Sequence, residues 1–239
     1  VQSTYSLQNV LFLDIETVPV VYEYSQLTDD ARALWDAKFR FLRNEGKSPE
    51  EDYSKAGIYA EFAKIVCIST GYINHQNNTK QFKLKSFYRA DEKKLLLDFC
   101  RYLQSFPSKK NLLLCAHNGK EFDFPFIARR LLINGIKLPA CLNLAGKKPW
   151  EVPHLDTLEL WKFGDYKNFT SLNLLAFIFH IPTPKDDIDG SQVAKVYWEE
   201  KNLKRIVRYC EKDVVTVAQL LLRFNHENLI AEKNVFAAE

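Results

Sequence analysis

The stretch Val10-Leu-Phe-Leu-Asp-Ile-Glu-Thr-Val18 begins as a buried β-strand, with four apolar residues in a row, and then carries carboxylates at positions 14 and 16. Side chains at i and i+2 of a strand leave the same face, so Asp14 and Glu16 aim two negative charges into one small volume. Ile15, between them, is expected to face the other way and hold the strand in its sheet. Taken alone, the pair also fits a strand end emerging into a polar loop. Inside a core, the two charges need compensation.

The bulk properties exclude little. A chain of 239 residues that is 46% hydrophobic fits one large α/β domain, with a core over about residues 10–223. Its formal charge of +3 neither demands nor excludes a polyanionic partner. Cys67, Cys100, Cys115, Cys141 and Cys210 are odd in number, scattered and without a Cys-x-x-Cys pair. They read as reduced core thiols of a cytoplasmic protein. No segment approaches the roughly 20 apolar residues that span a bilayer, and Val1-Gln-Ser-Thr-Tyr-Ser6 lacks the basic and apolar regions of an export signal. No membrane and no obligate protein partner is expected.

Beyond the first strand, residues 22–63 form a charged and aromatic excursion with helical candidates at Thr28–Trp35 and Pro49–Asp52, and Thr28 and Ser48 as N-caps. It could be a lid or guiding wall, or cover a sheet edge. Ile65–Thr70 and Phe82–Tyr88 read as two further strands joined by a turn at Asn74-His-Gln-Asn-Asn78, which makes a three-strand meander. Asp91 opens an amphipathic helix carrying Leu95, Leu96, Phe99, Leu103 and Phe106, and Pro107 closes it. A short strand at Asn111–Ala116 leads through the Asn118-Gly119 turn into a helix over Phe124–Leu132, stopped by Asn134-Gly135. The remainder reads as mostly helical, with segments at 171–179, 191–198 and about 203–224. Strands first, then an α/β crossover, then helices indicate a mixed sheet with helices packed on it.

The last helix repeats the oddity of the first strand. Its apolar stripe runs through Ile206, Cys210, Val214, Val217 and Leu221, and Asp213 lies at the edge of that stripe, one turn after Tyr209. A further carboxylate, Asp123, precedes a helix with Pro125 in its first turn; by itself it reads as an N-cap. If all four converge, each like-charge pair near 4 Å repels by roughly 4 kcal/mol at an effective dielectric of 20. Divalent cations would relieve that. Oxygen ligands without His or Cys favour Mg²⁺ or Mn²⁺, and a paired site is the apparatus of phosphoryl-transfer nucleases.

Asp14-Ile-Glu16, Asn118-Gly-Lys-Glu-Phe-Asp123 and Tyr209-Cys-Glu-Lys-Asp213 resemble, in order, the three motifs of the DEDD 3′→5′ exonucleases. Tyr209 corresponds to the DEDDy branch, and the chain looks most like the proofreading exonuclease domain of family-B DNA polymerases and the stand-alone bacterial exonucleases related to it. The resemblance implies a ribonuclease H-like fold: a mixed central sheet, meander plus parallel strands, flanked by helices, as one exonuclease domain over 1–239. It implies two divalent metals held by Asp14, Glu16, Asp123 and Asp213, and Tyr209 orienting the attacking water. It further implies that Ile15, Thr17, Asn118 and Phe122 contact the terminal nucleotide at the 3′ end of DNA, preferentially single-stranded, releasing nucleoside 5′-monophosphates. Phe122, Phe124 and Phe126 are open between base stacking and helix-entry packing. An RNA-trimming enzyme with the same site and a silent nucleic-acid-binding module are the rival readings. For His154 and Asp156 a role supporting the metal ligands from behind is the alternative to the preferred reading as solvated loop residues, and Asp186, Asp187 and Asp189 are expected as turn and capping residues near Ser191.

Overall fold

Alternation along Val10-Leu-Phe-Leu-Asp-Ile-Glu divides the core in two. Leu11, Leu13 and Ile15 enter one apolar cluster, whereas Val10 and Phe12 enter another on the opposite face. The computed structural model describes residues 5–40, 48–76, 79–106, 111–165, 167, 169–183 and 188–237. Among these, strands β1 (Val10–Pro19), β2 (Ala63–Gln76), β3 (Thr79–Tyr88), β4 (Leu113–Ala116), β5 (Leu155–Asp156) and β6 (Val235–Ala237) form one sheet in the order β5-β4-β1-β2-β3-β6. The expected meander is present: β1 pairs antiparallel with β2, and β2 with β3. The pairings β1–β4, β4–β5 and β3–β6 are parallel.

The helices are α1 (Asp29–Phe39), α2 (Pro49–Tyr53), α3 (Glu92–Ser105), α4 (Asp123–Ile133), α5 (Thr157–Lys162), α6 (Leu172–Ile178), α7 (Val193–Trp198) and α8 (Leu203–Phe224). The periodic apolar residues of α3 and α4 cover the Leu11/Leu13 face, and those of α8 cover the other, through Val214, Val217 and Leu221. Each such side chain, once fully buried, stabilises the fold by about 1.5–3 kcal/mol. Thr28 and Ser48 cap their helices as read from the sequence, and Asp91 and Ser171 are found to cap theirs.

Several expectations are corrected. Strand β2 runs on through Asn74, His75 and Gln76, because these exposed polar residues stay paired with β3 beyond the core. Asn77 and Asn78 of the expected turn, Pro107, and Lys185, Asp186 and Asp187 lie outside the described residues, as do Val1–Thr4. Strands β5 and β6 and helix α5, in a stretch read as mostly helical or left unassigned, are additions. Asp189 does serve the expected turn, accepting from the Ser191 backbone N–H at 2.8 Å. The excursion builds a small core of its own, with Trp35 ringed by Phe39, Tyr53, Tyr59 and Phe62. It meets the sheet at the end of β1, where Thr17 Oγ1 donates to Gly57 O at 2.7 Å. Among the described residues it packs against β1 and β2, whereas the outer strands are β5 and β6.

Candidate active site

Asp14 and Glu16 point to the α8 face of β1, opposite Ser69 and Cys67 of β2. Immediately beyond Glu16 the register jumps, from Glu16↔Cys67 to Thr17↔Ile65, a bulge that interrupts the ladder beside the charged pair before pairing resumes through Pro19↔Ala63. Acceptor atoms of Asp14 and Glu16 lie within 4.8 Å of each other and of the Cys210 thiol. Asp213, one turn along α8, and Asp123, the first residue of α4, act electrostatically on both. The fold thus brings all four carboxylates to one place, from a strand and two helices separated by up to about 200 residues of sequence.

Their mutual cost is visible. Burial, then repulsion from Glu16, Asp123 and Asp213, pushes the Asp14 carboxyl well above the usual carboxylate range. Burial, then the neighbouring Cys67 thiol, Asp213 and Asp123, does the same to Glu16. Burial raises Asp123 to about 7 against the pull of its own backbone N–H and that of Ile15. Asp14 Oδ2 and Asp123 Oδ1 are buried with no hydrogen-bond partner. Cys210 is a poor ligand here: its thiol donates to the carbonyl of Asp14 at 3.4 Å, and burial holds it protonated.

The N-cap reading of Asp123 is overturned. The cap of α4 is Phe122, with no side-chain bond, and Asp123, a residue 3% exposed to solvent, stands inside the first turn with its carboxylate bonded to the backbone of β1. Glycine is required just before it. A Cβ on Gly119 would lie 2.5 Å from Ala116 Cβ and 2.9 Å from the Phe124 ring, so the loop closes onto β4 only there without a side chain. Asn118 holds the left-handed turn at φ 64°, which asparagine tolerates.

The other named residues separate. Ile15 buries its side chain on the α3/α4 face and offers only its backbone near Asp123. Thr17 commits its hydroxyl to Gly57. Phe124 and Phe126 are core residues, which settles them as packing, while Phe122 is half-buried with its ring 5.3 Å from Phe126. Tyr209, half-buried, packs against the cluster containing Val18, Cys67 and Cys210.

His154 and Asp156 are not solvated loop residues; each is 3% exposed. Leu114 N–H donates to His154 Nδ1 at 3.2 Å, so the ring's proton is on Nε2, which donates to Cys141 O at 2.7 Å, and burial keeps the imidazole neutral. Asp156 accepts from the backbone N–H groups of Asn118 and Lys120 as well as capping α5. Its only sequence signal was its place in Leu-Asp-Thr-Leu, an Asp before a helix turn.

The family described as "Predicted 3'-5' exonuclease related to the exonuclease domain of PolB" matches residues 58–238. The chain belongs to this family. The matched segment contains Asn118, Asp123, Tyr209 and Asp213 of the exonuclease; Asp14 and Glu16 precede it and join the site through the fold. Among solved structures, the exonuclease is similar to the family B DNA polymerase from the hyperthermophilic archaeon Pyrobaculum calidifontis, with a TM-score of 0.54 and 13% identity over 90% of this chain. The chain spans 24% of that polymerase's length. The shared architecture is the fold alone, a mixed sheet flanked by helices of the ribonuclease H-like kind. The exonuclease is therefore an enzyme with a nucleic-acid substrate, and no helix among its described residues is long and apolar enough to cross a membrane.

Proposed function

We propose that the chain acts as one exonuclease domain that hydrolyses the terminal phosphodiester at the 3′ end of DNA, preferentially single-stranded, with two divalent cations. The observation that carries this is the convergence of Asp14, Glu16, Asp123 and Asp213 with two buried acceptor oxygens left unpartnered. An all-oxygen donor set of this charge fits Mg²⁺ or Mn²⁺. Asp14, Glu16 and Asp213 would hold one ion, and Asp14 with Asp123 the other. Such ions supply Lewis acidity, ionising water near neutral pH and neutralising charge on the scissile phosphate.

The chain's own groups then position the reactants. Tyr209, on the α8 face one turn before Asp213, orients the attacking water in line with the phosphorus. Asn118, Phe122, Thr17 and Ile15 border the terminal nucleotide, the last two through backbone atoms, since the Thr17 hydroxyl and Ile15 side chain are engaged elsewhere. Water adds to phosphorus, the bond to the 3′ oxygen of the preceding nucleotide breaks, and a nucleoside 5′-monophosphate leaves. The free thiols support a reducing, cytoplasmic setting.

The test is incubation of end-labelled single-stranded DNA, duplex DNA and RNA with Mg²⁺ or Mn²⁺. Stepwise release of monophosphates from the 3′ end of DNA is expected. Cleavage that survives EDTA, or an undiminished rate in Asp14→Ala, would sink the mechanism. Faster turnover of RNA would favour the trimming enzyme, and salt-dependent binding without turnover the silent module.

A further inference from the structure

Between Tyr209 and Asp213, α8 turns two polar side chains toward the sheet, and both are bonded to it. Cys210 donates to Asp14 O at 3.4 Å. Glu211 accepts the Ser86 hydroxyl of β3 at 2.6 Å. From Ser86 a polar row runs back beneath the helix: Ser86 Oγ is 3.0 Å from Ser69 Oγ, and Ser69 Oγ is 3.5 Å from Cys67 Sγ. Cys67 and Ser69, both fully buried, are the cross-strand partners of Glu16 and Asp14. The row therefore starts beside the first acidic motif and ends on the helix that carries the third.

A hydroxyl or thiol has one proton to donate, which fixes the direction of the row. Ser86 gives its proton to Glu211, so Ser69 must donate to Ser86, and Cys67 to Ser69. Cys67 then has none for Glu16, whose carboxylate keeps its lone pairs unclaimed on that side.

Apolar side chains would fill the same space without the cost of burying hydroxyls. They would not fix the rotation of the helix, because apolar attraction is non-directional. Side-chain tips lie about 5–6 Å from a helix axis, so a rotation of about 10° displaces the Asp213 carboxylate by about 1 Å. A misplacement of about 1 Å can cost about 10²-fold in rate. Hydrogen bonds weaken steeply off their preferred angles and resist that rotation.

We propose that Glu211, backed by Ser86 and Ser69, is a positioning residue that sets the rotation of α8 and so brings Asp213 and Tyr209 to Asp14 and Glu16. The proposal takes the purpose of the carboxylates from the nuclease reading above.

The test uses the full chain as Ser86→Ala, Glu211→Ala, the double variant, and Glu211→Gln, whose amide oxygen still accepts from Ser86 although its charge is gone. Two readouts are needed: kcat and KM on labelled single-stranded DNA with Mn²⁺, and Mn²⁺ binding to the metal-free chain by isothermal titration calorimetry. Each alanine variant is expected to lose about 10- to 100-fold in kcat and about tenfold in Mn²⁺ affinity, with KM changed less than about twofold. The double variant should be no worse than Ser86→Ala, because both single variants remove the Ser86–Glu211 bond and Ser86→Ala also takes the acceptor from Ser69. Glu211→Gln should recover to within about threefold of wild type. Alanine variants within about twofold of wild type in both readouts, additive losses, or a Glu211→Gln as impaired as Glu211→Ala would overturn the proposal. A wild-type chain inactive on nucleic acid, with Mn²⁺ affinities that follow the expected pattern, would remove the nuclease reading and still support the positioning role.

Discussion

The Asp156 carboxylate accepts the backbone N–H of Asn118 at 2.9 Å, so the last residue of β5 holds the loop that leads to Asp123. The same side chain takes Lys120 N–H at 3.0 Å, Leu158 N–H at 2.9 Å and Glu159 N–H at 3.3 Å. Asp156→Ala is expected to leave these donors without an acceptor and to cost about 3 kcal/mol in urea unfolding. Asp156→Asn, which keeps one oxygen, should lose about half as much. Both should reduce kcat more than stability alone explains, because the loop that presents Asp123 loosens.

The acidic cluster should cost stability when metal is absent. A carboxylate raised in the folded state holds protons that the unfolded chain has released, so its contribution to stability falls as pH rises. For Asp123 that window runs from the ordinary aspartate value of 3.8 to about 7. Metal-free Asp123→Asn is expected to melt about 5 °C above wild type at pH 8 and at nearly the same temperature at pH 4. Mn²⁺ should raise the wild-type melting temperature at pH 8 and have little effect at pH 5, as scanning calorimetry would show.

Under the proposed mechanism Tyr209 and Asp213, one turn apart on α8, have different tasks. Asp213→Ala is expected to lower kcat by about 10²- to 10³-fold, the scale of one preorganised electrostatic partner. Tyr209→Phe keeps the ring and its packing and should lose about 10- to 100-fold, with Mn²⁺ affinity unchanged. Calorimetry of Mn²⁺ binding to both variants separates ligand from orienting group.

Away from the site, Glu92 and Arg130 form a buried pair joined by two hydrogen bonds, the Nε contact at 2.9 Å. Glu92 also accepts Ile65 N–H at 2.7 Å, and Arg130 donates to Ala60 O at 2.8 Å, so α3, α4, β2 and the end of the excursion meet there. Glu92→Ala should destabilise by about 3–5 kcal/mol, because the guanidinium stays buried without its carboxylate. A denaturant midpoint within error of wild type would contradict this.

The residues legible in the sequence were those whose chemistry conflicted with their element. Asp14 and Glu16 stood out because a run of four apolar residues precedes them, and Asp213 because it borders an apolar stripe. Asp156 and His154 gave no such conflict. Their burial depends on backbone donors and acceptors brought in from Asn118, Leu114 and Cys141, and no side-chain pattern encodes those. Strand β5, two residues long, is too short for period-two alternation to register. Asp123 misled because an aspartate before a proline-containing first turn has the signature of a cap; only tertiary contact with β1 distinguishes the two.

The bulge after Glu16 separates two kinds of distance along the chain. Within β1 and α8, the offsets 14 to 16 and 209 to 213 are quantised by the pleat and the helical turn, and a single inserted residue would send one member of the pair to another face. Between those elements the chain is free to lengthen. The 22–63 excursion shows the consequence: some forty residues are accommodated next to the first motif while Asp14 and Glu16 keep their direction, because β1 and β2 stay paired through Pro19↔Ala63 and the excursion leaves only beyond that pair.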